Sequence, residues 1–177
     1  MHYKNIFILC FLLLSISCVT EKKETFPETN REYTNTIFPK PIGFINDFED
    51  IFSEAEETNL LNLVKAHEAE TTNQIALVTI DDLKTYDNIQ EYSFALANYW
   101  GVGLKDKNNG VLITISKRNR MLWIQNGDGI ISELTDAETK YIVDTQIIPS
   151  FQNNDYYTGT RKAIEAIIKE LTKTDDK

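Results

Sequence analysis

The chain has 177 residues, of which 42% are hydrophobic, and a formal net charge of −9. That length suits one domain with an ordinary core, and the acidity argues against a generic nucleic-acid or anionic-membrane surface, both of which need basic patches. Both cysteines, Cys10 and Cys18, fall within the first eighteen residues, so the rest of the chain has no disulfide and no thiol nucleophile.

The first residues read as an export signal. Lys4 supplies a short positive region, and Ile6 to Leu14 form an apolar run too short to span a bilayer. Ser15-Ile16-Ser17-Cys18 then resembles a bacterial lipobox, with Ser15 where leucine is usual. The alternative is an ordinary signal peptide in which Cys18 is incidental. If Cys18 is lipidated, removal of residues 1–17 leaves 160 residues with 17 basic and 27 acidic groups, net −10. Several acyl chains on one cysteine would anchor the protein stably. The polar stretch of residues 18–41, with Pro27, Pro39 and Pro41, reads as a flexible tether.

The folded region is expected over residues 42–172, followed by a polar tail at 173–177. Ser53 and Glu56 form a capping box for a helix with Leu60, Leu61, Val64 and His67 on one face. Ile75 to Ile80 is a continuous apolar strand. Asp87 or Asn88 caps a second helix bearing Tyr92, Ala95, Leu96 and Tyr99 and ending at Trp100. Gly101 and Gly103 permit backbone angles closed to other residues, and Asn109-Gly110 is a turn signal. Val111 to Ile115 is the next buried strand, and Lys117 to Arg120 is a hairpin tip from which Met121 to Ile124 returns. Thr135 or Asp136 caps a third helix that stops before Pro149, and Asp155 opens a last one.

Two strands joined by a helix pair in parallel through a right-handed crossover, and the hairpin strand adds on antiparallel. The expected fold is therefore α/β: a three-layer helix–sheet–helix sandwich with a mixed, mostly parallel sheet. This topology gives the sheet two poles. Asp81 and Asp82 share one with the Lys117–Arg120 tip. The Lys105–Gly110 and Gly127–Gly129 loops share the other.

At that second pole Asp106, Asn108, Asn109, Asp128 and Asp136 offer oxygen donors of the kind Ca²⁺ or Mg²⁺ takes. The competing explanation is structural: the Asn-Gly and Gly-x-Gly pieces make turns and Asp136 caps a helix. Asp47 is a candidate ligand or general acid/base, or else a cap or Asx-turn before the Ser53 helix. Trp100 reads as a packing anchor. His67, on the apolar edge of its helix, reads as a packed or surface histidine. With one histidine and no thiol beyond Cys18, transition-metal chemistry has no ligand set.

Several pieces in order resemble the TPM domain family, named for a thylakoid lumen protein, a photosystem II repair protein and a nematode receptor modulator. They are F-I-N-D-F at Phe44–Phe48, Q-I-A-L-V-T-I at Gln74–Ile80, W-G-V-G at Trp100–Gly103, N-N-G-V-L at Asn108–Leu112, N-G-D-G at Asn126–Gly129 and L-T-D-A at Leu134–Ala137. The resemblance covers roughly Ile42 to Leu171. One departure is that Asp128 and Ile131 stand where the family usually has an aromatic and an acid.

The resemblance implies an oxygen-ligand cation site, Ca²⁺ or Mg²⁺, drawn from Asp47, Asp106, Asn109, Asp128 and Asp136. It also implies phosphomonoester hydrolysis as an alternative activity, with a metal held by Asp47, Asp106 and Asp136 polarising a phosphoryl oxygen. The expectation ranked first is a calcium-binding interaction or maintenance module. It would be lipid-anchored in a bacterial cell envelope, with the membrane and an envelope protein complex as partners and no nucleic acid.

Overall fold

The structure is a computed structural model and describes residues 37–173. The expected signal, Cys18 and residues 19–36 lie outside the described residues. Four strands form one sheet in the order β1-β2-β3-β4. They are β1 (Ile45–Asp47), β2 (Gln74–Thr79), β3 (Gly110–Ser116) and β4 (Met121–Asn126). The β1–β2 and β2–β3 pairs are parallel and the β3–β4 hairpin is antiparallel.

Alternation along the strands builds two cores. Ile75 and Leu77 of β2, Val111, Ile113 and Ile115 of β3, and Ile124 of β4 face one layer of helices. That layer holds α1 (Glu54–Thr71) and α5 (Tyr156–Leu171), which contribute Leu60, Val64, Ala163, Ile164 and Ile167. Ala76, Val78 and Leu112 face the opposite side and pack on Tyr92, Ala95 and Leu96 of α2 (Ile89–Trp100). The fold is thus the mixed α/β sandwich expected. Four helix starts follow a side-chain cap: Ser53 and Thr135 make full capping boxes with Glu56 and Glu138, and Asn88 and Asp155 each accept one backbone N–H.

Three features differ from the sequence expectation. First, the F-I-N-D-F segment is a strand. Three residues carry too short a pattern to read as one. Buried Asn46 holds β1 in place: its amide donates to Gly43 O (2.9 Å) and Leu77 O (3.1 Å), and its oxygen accepts the Ile42 N–H (2.7 Å). Second, the packed region starts before Ile42. Phe38 is buried among Tyr86, Tyr92 and Tyr99, and Trp100 Nε1 donates to Pro39 O at 2.9 Å. Trp100 is the anchor expected, and what it anchors is the entry segment.

Third, Pro149 does not end the third helix. α3 (Asp136–Ile142) widens into a π-helical turn over Val143–Ile147, and α4 (Ile148–Gln152) continues with Pro149 in its first turn. The Ile148 N–H bonds to Val143 O. Restarting the helix there spares proline a hydrogen bond that it cannot donate.

Candidate functional site

The register decides which candidate residues meet. Gln74 pairs with Gly110 at the amino end of β2, and Val111 pairs with Asn126, so the Lys105–Gly110 and Gly127–Gly129 loops share a pole. Asp47 pairs with Thr79 at the other end of β2, about 17 Å away at the usual strand rise. This corrects the grouping of Asp47 with Asp106, Asp128 and Asp136, because β1 runs parallel to β2 and brings its last residue to the carboxyl pole.

At the amino pole the two loops touch backbone to backbone. Gly127 N–H donates to Gly110 O (2.8 Å) and Gly129 N–H donates to Asn108 O (3.1 Å). A Cβ on Gly127 would stand 2.1 Å from Asn108 O, and one on Gly129 would stand 1.7 Å from Lys107 O. Only glycine allows the approach. Asn108 itself adopts a left-handed φ of 48° to turn the chain beneath them.

Asn109 is the clasp of this loop. It is buried; its Oδ1 accepts the Leu104 N–H (2.9 Å) and its Nδ2 donates to Thr72 O (2.8 Å) and Asn73 Oδ1 (3.0 Å). Gln74 adds a second clasp, accepting the Gly103 N–H at 2.9 Å and donating to Glu68 at 2.8 Å. The oxygen of the Asn109 amide thus closes the loop on Leu104 and its nitrogen ties the loop to the end of α1, which accounts for Asn109 without a ligand. Thr72 and Asn73 carry no motif in the sequence, and Gln74 enters there only as the first residue of the Q-I-A-L-V-T-I piece. The left-handed Thr72 that presents the acceptor has no local signal, since threonine rarely adopts that conformation.

Asp106 and Asp128 differ from Asn109. Both are exposed on the clasped loops and neither makes a hydrogen bond or ion pair among the described residues. Asp136 is likewise exposed, as the first residue of α3, where its charge favours the helix start. Its neighbour Thr135 does the capping, and the Thr135 backbone and hydroxyl hold the Glu138 carboxyl below its ordinary pKa. Among the described residues, no three His, Cys, Asp or Glu side chains converge as a ready-made metal cage. A hard cation at this pole would be held by Asp106 and Asp128 with backbone carbonyls and waters, a donor set that suits Ca²⁺ or Mg²⁺.

The carboxyl pole is built on occupied carboxylates. Asp47 Oδ1 accepts the Thr79 hydroxyl (2.6 Å) and Asp47 Oδ2 accepts the Phe52 N–H (2.8 Å). Glu49 accepts the Lys117 and Arg118 N–H groups (2.7 and 3.1 Å) and so holds the hairpin tip. Asp82 pairs with Lys84 at 2.9 Å, which draws its pKa below the usual carboxylate value. A shallow cleft of about 280 Å³ lies here, walled by Phe38, Phe48, Ile80, Asp81, Asp82 and Lys84. His67 is buried on α1, with Nε2 3.3 Å from the Thr71 hydroxyl and Nδ1 without a partner. Desolvation lowers its pKa, and Glu70 opposes the shift. Its burial fits the packed role, one of the two expected for it.

The fold is a mixed four-stranded α/β sandwich with backbone-locked loops at its amino pole. The TPM domain family model matches residues 45–170, and the chain belongs to that family. Solved structures agree in fold. The N-terminal domain of a protein from P. gingivalis is 24% identical, covers 72% of this chain and 81% of its own, and superposes with a TM-score of 0.66. The BA42 protein from the psychrophilic bacterium Bizionia argentinensis is 18% identical, with 73% and 91% covered and a TM-score of 0.62. The N-terminal domain of the cg2496 protein from Corynebacterium glutamicum is 15% identical, with 78% and 88% covered and a TM-score of 0.58. Among curated proteins, none matches the chain.

Proposed function

We propose that this TPM domain is a cation-responsive interaction module, held on a bacterial envelope membrane by lipid on Cys18, that binds Ca²⁺ or Mg²⁺ through Asp106 and Asp128. The observation that carries the proposal is the pair of exposed, unpartnered carboxylates on two loops locked to each other by backbone contact. A divalent cation bound to the two loops would neutralise their two carboxylate charges. Few protein ligands and an open, wet position imply weak affinity, at the extracellular end of the calcium range, on the order of 0.1–1 mM. Asp136 supports the site from the same pole, and Asp47 and Asn109 act as structural residues.

The test is thermal unfolding with and without Ca²⁺. A ligand at a hundredfold excess over its Kd stabilises the folded state by about 2.7 kcal/mol, a rise of several degrees. Asp106→Asn and Asp128→Asn should each shrink the rise, and Asp81→Asn should leave it intact. No shift at about 10–100 mM Ca²⁺ or Mg²⁺, a hundredfold over that Kd, would refute the cation reading. Cys18→Ser should release the protein from membranes; retention of that variant with unchanged mass would refute the lipid anchor. Phosphomonoester hydrolysis, the second activity the family resemblance implies, requires the same cation here. Turnover of p-nitrophenyl phosphate that survives chelation would refute that dependence.

A further inference from the structure

The two edges of the sheet are unlike. β1 is three residues long and follows Pro39 and Pro41, which leaves little edge to pair with. β4 is six residues long, Met-Leu-Trp-Ile-Gln-Asn, with no charge, proline or glycine to blunt it. The bond from Gly127 N–H to Gly110 O sets the phase of the hairpin. Counting back in twos, Gln125, Trp123 and Met121 exchange hydrogen bonds with β3. The peptide groups of Leu122, Ile124 and Asn126 therefore point away from the sheet. Only one of these six groups has a partner among the described residues: Asn126 O accepts the Gln125 side-chain amide at 3.0 Å. The strand is half-buried along most of its length.

We propose that the β4 edge binds β4 of a second copy of this chain, antiparallel, with the two-fold axis at Ile124. The pattern selects this occupant and this register. With Ile124 on the axis, Leu122 faces Asn126 of the second copy, and all three outward residues are used, giving about six inter-copy hydrogen bonds. Trp123 then faces Gln125 of the second copy, and the neutral strand opposes no like charges. Just beyond the strand ends the same register sets Arg120 against Asp128 of the second copy, twice by symmetry. Both are exposed, and neither has an ion-pair partner among the described residues. Moving the axis to position 123 or 125 leaves one outward residue of each copy unpaired and brings Arg120 opposite Asn126 or Ile130. The result is a closed dimer with a continuous eight-stranded sheet. This pairing shares Asp128 with the proposed cation site, but the backbone of Leu122–Asn126 carries it, and sedimentation in the absence of Ca²⁺ and Mg²⁺ keeps the two readings distinguishable.

The experiment uses the full chain with Cys10→Ser and Cys18→Ser as background. Copies with Trp123→Cys and copies with Gln125→Cys are prepared separately, mixed and oxidised. Facing residues of a non-hydrogen-bonded antiparallel pair lie about 4.5 Å apart at Cα, within disulfide reach. The mixture should give a disulfide-linked dimer at least about tenfold faster than either variant alone, since neither position faces itself. Arg120→Glu should weaken the dimer of the background chain about tenfold in sedimentation, by setting Glu against Asp twice. Adding Asp128→Arg should restore it. A background chain that sediments as a monomer up to its solubility limit would overturn the proposal. So would a dimer in which Trp123→Cys links to itself, or a monomer in which that cysteine links to one placed in residues 19–36. The last outcome would give the edge to the chain's own leading segment.

Discussion

Replacing Asp47 with alanine separates a structural role for this acid from a ligand role. Its two oxygens accept hydrogen bonds from Thr79 Oγ1 and Phe52 N–H, at 2.6 and 2.8 Å, and so join the end of β1 to β2 and to the turn before α1. Thr79 is fully buried, and Phe52 is a core residue at 4% exposure. Hydrogen bonds to a charged acceptor contribute about 1.5–3 kcal/mol each. Thr79 Oγ1 still accepts the Glu49 N–H at 2.8 Å, so only part of its satisfaction is lost. The expected cost of Asp47→Ala is therefore about 2–4 kcal/mol, or a fall in Tm of roughly 8–15 °C for a domain of this size. Asp47→Asn keeps one good acceptor and should lose about half as much. Thermal unfolding with and without Ca²⁺ measures both quantities. The cation-dependent rise in Tm should survive in Asp47→Asn. A variant that keeps full stability but loses the cation response would refute the reasoning and make Asp47 a ligand.

Gly129→Ala should force the two amino-pole loops apart, because its Cβ would overlap Lys107 O; a loss of about 2–4 kcal/mol in urea unfolding is expected, and a loss under 0.5 kcal/mol would contradict the backbone contact. Asn109→Ala strands the Leu104 N–H and the Thr72 carbonyl and should cost about 2–3 kcal/mol, read from the denaturant midpoint. His67 titrates below its ordinary value of about 6.5. Above that pH both folded and unfolded forms are neutral and it contributes nothing; below it the unfolded chain takes up the proton first, so stability falls as pH drops. His67→Leu should flatten the part of the acid limb nearest pH 6, and an unchanged limb would show that His67 is not its source.

Sequence alone determined the elements whose signal is local. The capping pairs Ser53/Glu56 and Thr135/Glu138, the apolar runs of β2 and β3 and the hairpin at Lys117–Arg120 are each complete within a few residues, so their positions can be read before folding. The topology followed, because a helix between two buried strands has one favoured hand. The amino-pole loops were found for the same reason: the ends of consecutive elements put them there.

Tertiary structure decided what depends on partners distant in sequence. β1 is a strand because Leu77, thirty-one residues on, accepts from Asn46, and that pairing sends Asp47 to the opposite pole from Asp106. Asn109 is a clasp because Thr72 presents a carbonyl thirty-seven residues back. Pro149 sits inside a helix because the chain widens into a π turn before it. Identical residue types, Asp47 and Asp106, end with filled and unfilled oxygens. A carboxylate's chemistry depends on which donors the fold brings within 3 Å of it, and no local pattern carries that information.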